Sequence, residues 1–275
     1  MTSVDLHLHS THSDGTLAPA ELVDRVADAG VELMALTDHD TTSGLGEARQ
    51  QCAQRGIRML DGVELSSTWR GQTIHVIGLG IDPAAPTLVD GLHQLQDLRR
   101  TRLAAIAARL ERKLIPGPML LAELEAVHPV VTRTHLARTL VAHQHAKSMA
   151  EAFKRYLGRG GAAHVASNYP ELAAVVPWIR AAGGTAVLAH PMRYALSAGA
   201  RRLLVTAFRD SGGTAIEIVC GRALAHIAPL AALASRFGLA GSVGSDFHDP
   251  QIPWNPPGRL AKLPAGIEPV WQSLA

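Results

Sequence analysis

The sequence predicts an α/β fold in which a parallel sheet, closed or open, carries one helical insertion. Two observations predict it. Seven stretches with strand character alternate with helical patterns, the signature of strand–helix–strand units, and that alternation breaks once, between residues 83 and 163, where only helical patterns occur. A chain of 275 residues is long enough for one large domain with a deep core, or for a core domain carrying an insertion.

The first strand covers Val4 to His9. Side chains alternate along a strand, so Val4, Leu6 and Leu8 share one face while Asp5, His7 and His9 share the other. A helix over Leu17 to Ala29 follows, with Pro19 near its start and Gly30 just past its end. Val31 to His39 reads as a buried strand ending in Thr37-Asp38-His39-Asp40, and Thr42 to Arg55 as a helix closed by Gly56. Strands at Arg58 to Ser66 and Thr73 to Gly80 contain Glu64 and His75.

Beyond Pro83 a long helical pattern runs from Leu88 to Lys113 and stops at Ile115-Pro116-Gly117-Pro118, where a helix cannot easily continue. Shorter helices are expected at Met119 to Val127, Thr134 to His145 and Met149 to Leu157, before the flexible Gly158-Arg159-Gly160-Gly161. Residues 83–163 thus form the insertion, and 1–82 with 164–275 the sheet domain. Helical spacing returns at Pro170 to Ala182, Gly199 to Ser211 and Leu224 to Phe237. Between these lie strands at Thr185 to Ala189, Ala215 to Val219 and Ala240 to Gly244. The tail from Pro250, rich in Pro and Trp, is expected to wrap the outside.

Composition narrows the function classes. Hydrophobic residues make up 47% and charged residues 18%, as in an ordinary globular protein rather than a disordered one. A formal charge of +2 and 4% aromatics argue against a bulk polyanion binder or a stacking platform for long single strands, so any nucleic-acid substrate should be small. Cys52 and Cys220 lack metal-type spacing and are expected as free thiols in a reducing compartment. With no leader pattern and no long apolar run, a cytoplasmic protein without membrane contact or obligate protein partner is expected.

Histidine is the compositional outlier, at 14 residues. His7, His9, His39, Glu64, His75, His190, Asp246 and His248 fall at or near strand ends, and Asp14 sits on the first loop. Ligands bind at the carboxyl ends of strands in parallel α/β folds. So many imidazoles and carboxylates on one face exceed the needs of one tetrahedral zinc and imply two or three metal ions, with Glu64 suited to bridge. Each position also has a plain structural use: His39 could cap the next helix, His75 could be a satisfied core histidine, and His190-Pro191 could end a strand. Asp246 and His248 repeat the same-face spacing of His7 and His9. His12, His93, His128, His143, His145, His164 and His226 receive no role.

These segments resemble a known family. His7-x-His9 with Ser13-Asp14-Gly15, Leu36-Thr37-Asp38-His39-Asp40, Gly62-Val63-Glu64, Ala189-His190-Pro191 and Gly244-Ser245-Asp246-Phe247-His248 are similar, in order, to the motifs of the PHP (polymerase and histidinol phosphatase) phosphoesterases. The resemblance implies a distorted seven-stranded (β/α)7 barrel of TIM-like type and a trinuclear centre. His7, His9, Glu64 and Asp246 would hold one metal, Glu64, His75 and His190 a second, and Asp14, His39 and His248 the third. Manganese is the usual ion of such sites, and the mixed nitrogen and oxygen donors also admit zinc, iron or magnesium. Asp14, His39, Glu64, His190 and Asp246 are the ligands expected to matter most for catalysis.

The branch with the most similar wording removes the 3′-phosphate from nucleoside 3′,5′-bisphosphates and can trim short RNA from its 5′ end; histidinol phosphate is a further alternative. In such an enzyme water attacks phosphorus directly, without a covalent nucleophile. Arg133-Thr134-His135 resembles the Arg-x-His element of that branch, so Arg133 and His135 are expected to hold the second phosphate, with Arg193 and Arg222 as weaker candidates. Asp38 is expected either to orient an imidazole or to cap a helix, and Glu217 to stand behind the ligands. Ile218-Val219-Cys220-Gly221-Arg222 departs from the small polar residues usual there.

Overall fold

The computed structural model describes residues 3–252 and 255–274. Its sheet follows chain order from β1 to β7. β1 (Val4–Asp5) pairs in parallel with β2 (Leu33–Leu36), and β2 in parallel with β3 (Arg58–Trp69). β4 (Gln72–Leu79) is antiparallel both to β3 and to β5 (Thr185–Leu188). β5, β6 (Ala215–Cys220) and β7 (Ala240–Gly244) are again parallel. Leu6 N–H donates to the Val243 carbonyl at 3.0 Å and Asp246 N–H to the His7 carbonyl at 2.9 Å, which brings the two edges of the sheet together as a nearly closed barrel.

The expectation of a uniformly parallel sheet is corrected at β4. A parallel return needs a crossover of a dozen or more residues, and only Arg70-Gly71 separates β3 from β4. Both residues are left-handed, with φ of 49° and 73°, the backbone of a tight hairpin whose twist matches its strands. The reversal has a consequence for the site. His75 lies near the start of its strand, and antiparallel pairing puts it opposite Ser66, two residues past Glu64.

Helices α1 (Pro19–Asp28) and α2 (Leu45–Arg55) cover the first strands, and α7 (Leu172–Ala181), α8 (Ala198–Asp210) and α9 (Ile227–Phe237) the later ones, counting from α3 (Pro86–Glu111), α4 (Gly117–Glu125), α5 (Arg133–Ala142) and α6 (Met149–Ala152) in between. One apolar cluster joins the strands to α7, α8 and α9, and a second packs Leu22, Val23 and Val26 of α1 on Met34, Leu36 and Phe247. A third, separate cluster belongs to α4, α5, α6 and the far half of α3, through Leu103, Ile106 and Leu110. The near half of α3 packs Leu88, Leu92 and Leu95 into the barrel cluster. α3 therefore enters both cores, and its 26 residues act as the rod on which the inserted helices are hung. The tail covers the outside through Ile267 and Val270, with Gly241 N–H donating to the Glu268 carbonyl at 2.8 Å; Pro253 and Trp254 of that tail lie outside the described residues. No helix among the described residues is long and apolar enough to cross a membrane.

Candidate metal centre

The barrel rim gathers the imidazoles and carboxylates that the strand pattern singles out. His7, His9, Asp14, Glu64 and Asp246 are almost wholly buried. Four overlapping groups have donor atoms all within 4.8 Å of one another: His9, Asp14, His39 and His248; His7, His9 and Asp246; His7, Glu64 and His190; and His39, Glu64 and His75. Glu64 is the hub. Its Oε1 lies 3.0 Å from His190 Nε2 and 3.2 Å from His75 Nδ1, and its Oε2 lies 2.9 Å from His39 Nδ1 and 3.4 Å from His9 Nε2.

The donor set fits divalent ions. Among the buried polar atoms that take part in no hydrogen bond are His7 Nε2, His9 Nε2, Asp14 Oδ1, His39 Nδ1, Glu64 Oε2, His75 Nδ1 and His190 Nδ1. Native interiors rarely leave such atoms without partners, and all of these but His190 Nδ1 lie within 4 Å of another donor of the cluster; His190 turns its Nε2 to Glu64 instead. The opposite edges of several rings are tied down. His7 Nδ1 lies 3.0 Å from Glu217 Oε1, and His248 Nδ1 lies 3.0 Å from the Asp246 carbonyl, which leaves each Nε2 aimed inward. Glu217 also accepts the His190 backbone N–H at 2.7 Å. Carboxylates and carbonyls behind metal-bound imidazoles fix ring orientation in this way.

Backbone strain marks the same rim. His190 and Asp246 have φ of 29° and 54°, in the left-handed region that non-glycine residues rarely occupy. Charge coupling is strong as well. Burial alone would raise the Glu64 carboxyl, but the imidazoles of His39, His75 and His7 outweigh it and hold the group well below its usual range. Burial likewise opposes the His7 imidazolium, yet Glu64, Glu217 and Asp246 push His7 well above its usual range. His9, buried and next to His248, is pushed down to about 3.

Asp38 neither orients an imidazole directly nor caps a helix. Its carboxylate accepts the Ser10 N–H at 2.8 Å and the Ser10 and Ser13 hydroxyls at 2.6 Å each, pinning the turn between His9 and Asp14. Thr132, missed in the sequence, caps α5 and donates its hydroxyl to Asp14 Oδ2 at 2.9 Å. His135 serves that cap: its Nδ1 accepts the Thr132 N–H at 3.0 Å, and its ring stacks on His128. It lines neither cleft that reaches the metal-site residues.

Those two clefts differ greatly. The larger, about 870 Å³, opens beside His190, Asp246 and His248 and is lined by Arg193 and Arg222. Arg193 also pairs with Asp246. The smaller, about 110 Å³, lies beside Asp14, His39 and His75 under the insert, and contains Arg133 together with Arg99 and Arg102. Arg99 and Arg102 are a further omission; three residues apart on a helix they share a face, but that spacing equally suits a solvated surface.

The PHP domain model matches residues 5–158. The chain belongs to the PHP-domain family. It is 42% identical over 271 residues to the 5′-3′ exoribonuclease Rnm of Escherichia coli K12, covering 98% of this chain and 92% of that one. It is 41% identical over 276 residues to the 3′,5′-nucleoside bisphosphate phosphatase of Chromobacterium violaceum, covering 100% and 97%. A solved amidohydrolase from Chromobacterium violaceum, with bound sulfate and no metal, superposes with a TM-score of 0.92 at 40% identity and covers 99% of this chain and 96% of that one. The PHP match spans β1 to the inserted helices, and the matches to the two relatives extend over 98% and 100% of this chain.

Proposed function

We propose that this PHP-family protein is a metal-dependent phosphomonoesterase that removes the 3′-phosphate of nucleoside 3′,5′-bisphosphates, releasing the nucleoside 5′-monophosphate and phosphate. The observation that carries the reading is the convergence of unpartnered buried donors on Glu64, joined by the likeness to a 3′,5′-nucleoside bisphosphate phosphatase over the whole chain. His7, His9, Glu64 and Asp246 would hold one ion, Glu64, His75 and His190 a second, and Asp14, His39 and His248 a third. Manganese suits the mixed imidazole and carboxylate donors, which also admit magnesium, zinc or iron. The substrate is a small nucleotide. Unpaired Cys52 and Cys220 suit a cytoplasmic enzyme.

Divalent ions bound there would acidify a water to hydroxide near neutral pH and neutralise charge on the phosphoryl oxygens. The protein's own part is positional. Glu217 holds His7 and the backbone of His190, Asp38 holds the turn that carries Asp14, and Thr132 holds Asp14 from the insert. Rigid placement of this kind is what converts a bound water and a bound phosphoryl group into reacting neighbours. The larger cleft, bounded by Met192, Ile218, Leu230 and Ile252 with Asn255 and Gln251 among its polar residues, has the size and mixed character of a nucleoside pocket.

A second reading, a 5′→3′ exoribonuclease on short 5′-phosphorylated RNA, is favoured by that cleft's volume and by the likeness to Rnm. Both reactions break the bond between a ribose 3′-oxygen and phosphorus. The deciding assay gives the manganese-loaded protein adenosine 3′,5′-bisphosphate and a 5′-phosphorylated dinucleotide. Phosphate and 5′-AMP appearing faster from the bisphosphate is the expected result, and faster cleavage of the dinucleotide would put the nuclease first.

A further inference from the structure

Antiparallel strands exchange hydrogen bonds in pairs: at a bonded position each residue gives its N–H to the carbonyl of the other. His75 and Ala189 are such a position, the next pair after Val76 and Leu188 of β4 and β5. Only one of its two bonds is direct, Ala189 N–H donating to the His75 carbonyl at 3.2 Å. The other is relayed. His75 N–H donates to the Tyr194 hydroxyl at 2.9 Å, and that hydroxyl donates to the Ala189 carbonyl at 3.0 Å. A side-chain oxygen thus stands in the ladder between the two strands, at the last pair before His190. Tyr194 reaches it because the chain turns back at once after β5, with Arg193 N–H donating to the His190 carbonyl at 2.9 Å. The buried Tyr194 ring packs edge to face against the His190 imidazole, their centroids 5.5 Å apart. His190 takes its left-handed φ of 29° at the start of this turn, and Arg193 within it pairs with Asp246.

We propose that Tyr194 is a positioning residue of the metal centre, and that its hydroxyl, inserted between β4 and β5, sets the spacing of His75 and His190. The inference rests on the metal-dependent reading above and deepens it. His190 Nε2 and His75 Nδ1 approach one and the same oxygen, Glu64 Oε1, at 3.0 and 3.2 Å. An ion held by these three side chains needs the two backbones behind the imidazoles at a fixed separation. A direct bond from His75 N–H to the Ala189 carbonyl would bring those atoms to about 2.9 Å; two bonds meeting at one hydroxyl oxygen hold them farther apart. Phenylalanine at position 194 keeps the ring and removes the oxygen. The strands then either close on a direct bond or leave a buried N–H and carbonyl unpaired, which native interiors avoid. Both outcomes shift His75 against His190. Asp14, His39 and His248 hang from segments that the hydroxyl does not touch, so their group should be undisturbed.

The test compares wild type with Tyr194→Phe, both stripped with a chelator and titrated with manganese in a calorimeter. One site of the variant should weaken about tenfold or more, as when a partner behind a metal ligand is removed, while the other sites keep their wild-type affinity. On adenosine 3′,5′-bisphosphate, kcat should fall about tenfold or more at manganese that just saturates the wild type, recover as manganese is raised, and leave KM unchanged. Equal affinities in the two proteins would overturn the inference. So would a uniform loss across all sites together with a lower denaturant midpoint, because a hydroxyl that only steadies the fold favours no single ion. A crystal structure of the metal-free variant reads the wedge itself: a changed separation between His75 and His190 is expected, and unmoved rings would refute the proposal. If the wild type binds manganese but leaves the bisphosphate intact, the nucleotide reading fails and the titration still decides Tyr194. A wild type that binds no manganese would remove the metal centre and this inference together.

Discussion

Thr132 and Asp14 meet across the junction between the inserted helices and the barrel, the Thr132 hydroxyl donating to Asp14 Oδ2 at 2.9 Å in a buried contact. Arg138, nearly two turns further along α5, donates to the Asp14 carbonyl at 2.8 Å. The insert therefore grips the residue that, with His39 and His248, would hold an ion.

Thr132→Val should loosen that carboxylate. Removing a partner behind a metal ligand typically costs 10–100-fold in metal affinity or activity, so a manganese affinity lower by about tenfold or more at one site is expected, measured by metal titration. Loss of the α5 cap should also cost about 1 kcal/mol in chemical denaturation. Thr132→Ser keeps the hydroxyl and should restore both; a serine variant as impaired as valine would remove the hydrogen bond from the account.

Glu217→Gln tests the barrel side in the same way. Glu217 stands 3.0 Å from His7 Nδ1 and accepts the His190 backbone N–H at 2.7 Å. Replacing the carboxylate by an amide lowers the basicity of the His7 ring, and kcat should fall about 10- to 100-fold. Metal analysis of the purified variant should show reduced occupancy, while full occupancy with normal kcat would leave Glu217 as packing alone.

Metal loading should release protons. Burial works against the His39 imidazolium, but Glu64 and Asp14 outweigh it and push His39 up to about 9 in the metal-free protein, against an ordinary 6.5. A metal takes only the neutral ring. Calorimetric enthalpies of manganese binding at pH 7.5 should therefore vary with the ionisation enthalpy of the buffer, and that variation should shrink above about pH 9. The linkage sign is set by the raised value. In metal-free protein, His39 contributes stability that is fully present below 6.5 and is lost as pH rises through about 9, so chelator-treated protein should melt at progressively lower temperature over that range while the loaded form changes less.

Gly244→Ala should damage the site from behind. A Cβ at Gly244 would lie 2.2 Å from His7 Cβ and 2.7 Å from Glu217 Oε1, well inside contact distance. Overpacking of this kind costs about 1–3 kcal/mol, read as a lower denaturant midpoint, and the displaced His7 should reduce bound manganese. A variant with wild-type stability and metal content would show that β7 yields at this point.

Much of the rim was legible in the chain. Strand side chains alternate, and parallel strands end on one face, so the positions of His7, His9, His39, Glu64, His190, Asp246 and His248 followed from periodicity and from strand ends alone. The sequence groups His75 with them, but strand direction does not place it there: it lies near the start of β4, and only antiparallel pairing through the Arg70-Gly71 hairpin brings it to the rim. Asp38 looks like a helix cap or an imidazole partner in sequence, yet three-dimensional proximity gives it to Ser10 and Ser13.

The sequence by itself determined the chemistry available, an excess of imidazoles and carboxylates at the ends of predicted strands, and the place where the alternation is interrupted. Tertiary structure alone decided how the insert meets that chemistry: Thr132 on Asp14, His135 turned into its own cap, and Arg99 and Arg102 turned toward the metal-site residues. The physical reason is range. Periodicity records which face of one element is apolar, whereas partners separated by 118 positions, as Thr132 and Asp14 are, are chosen by packing between elements, and a polar residue reads the same in sequence whether it faces water or a buried carboxylate.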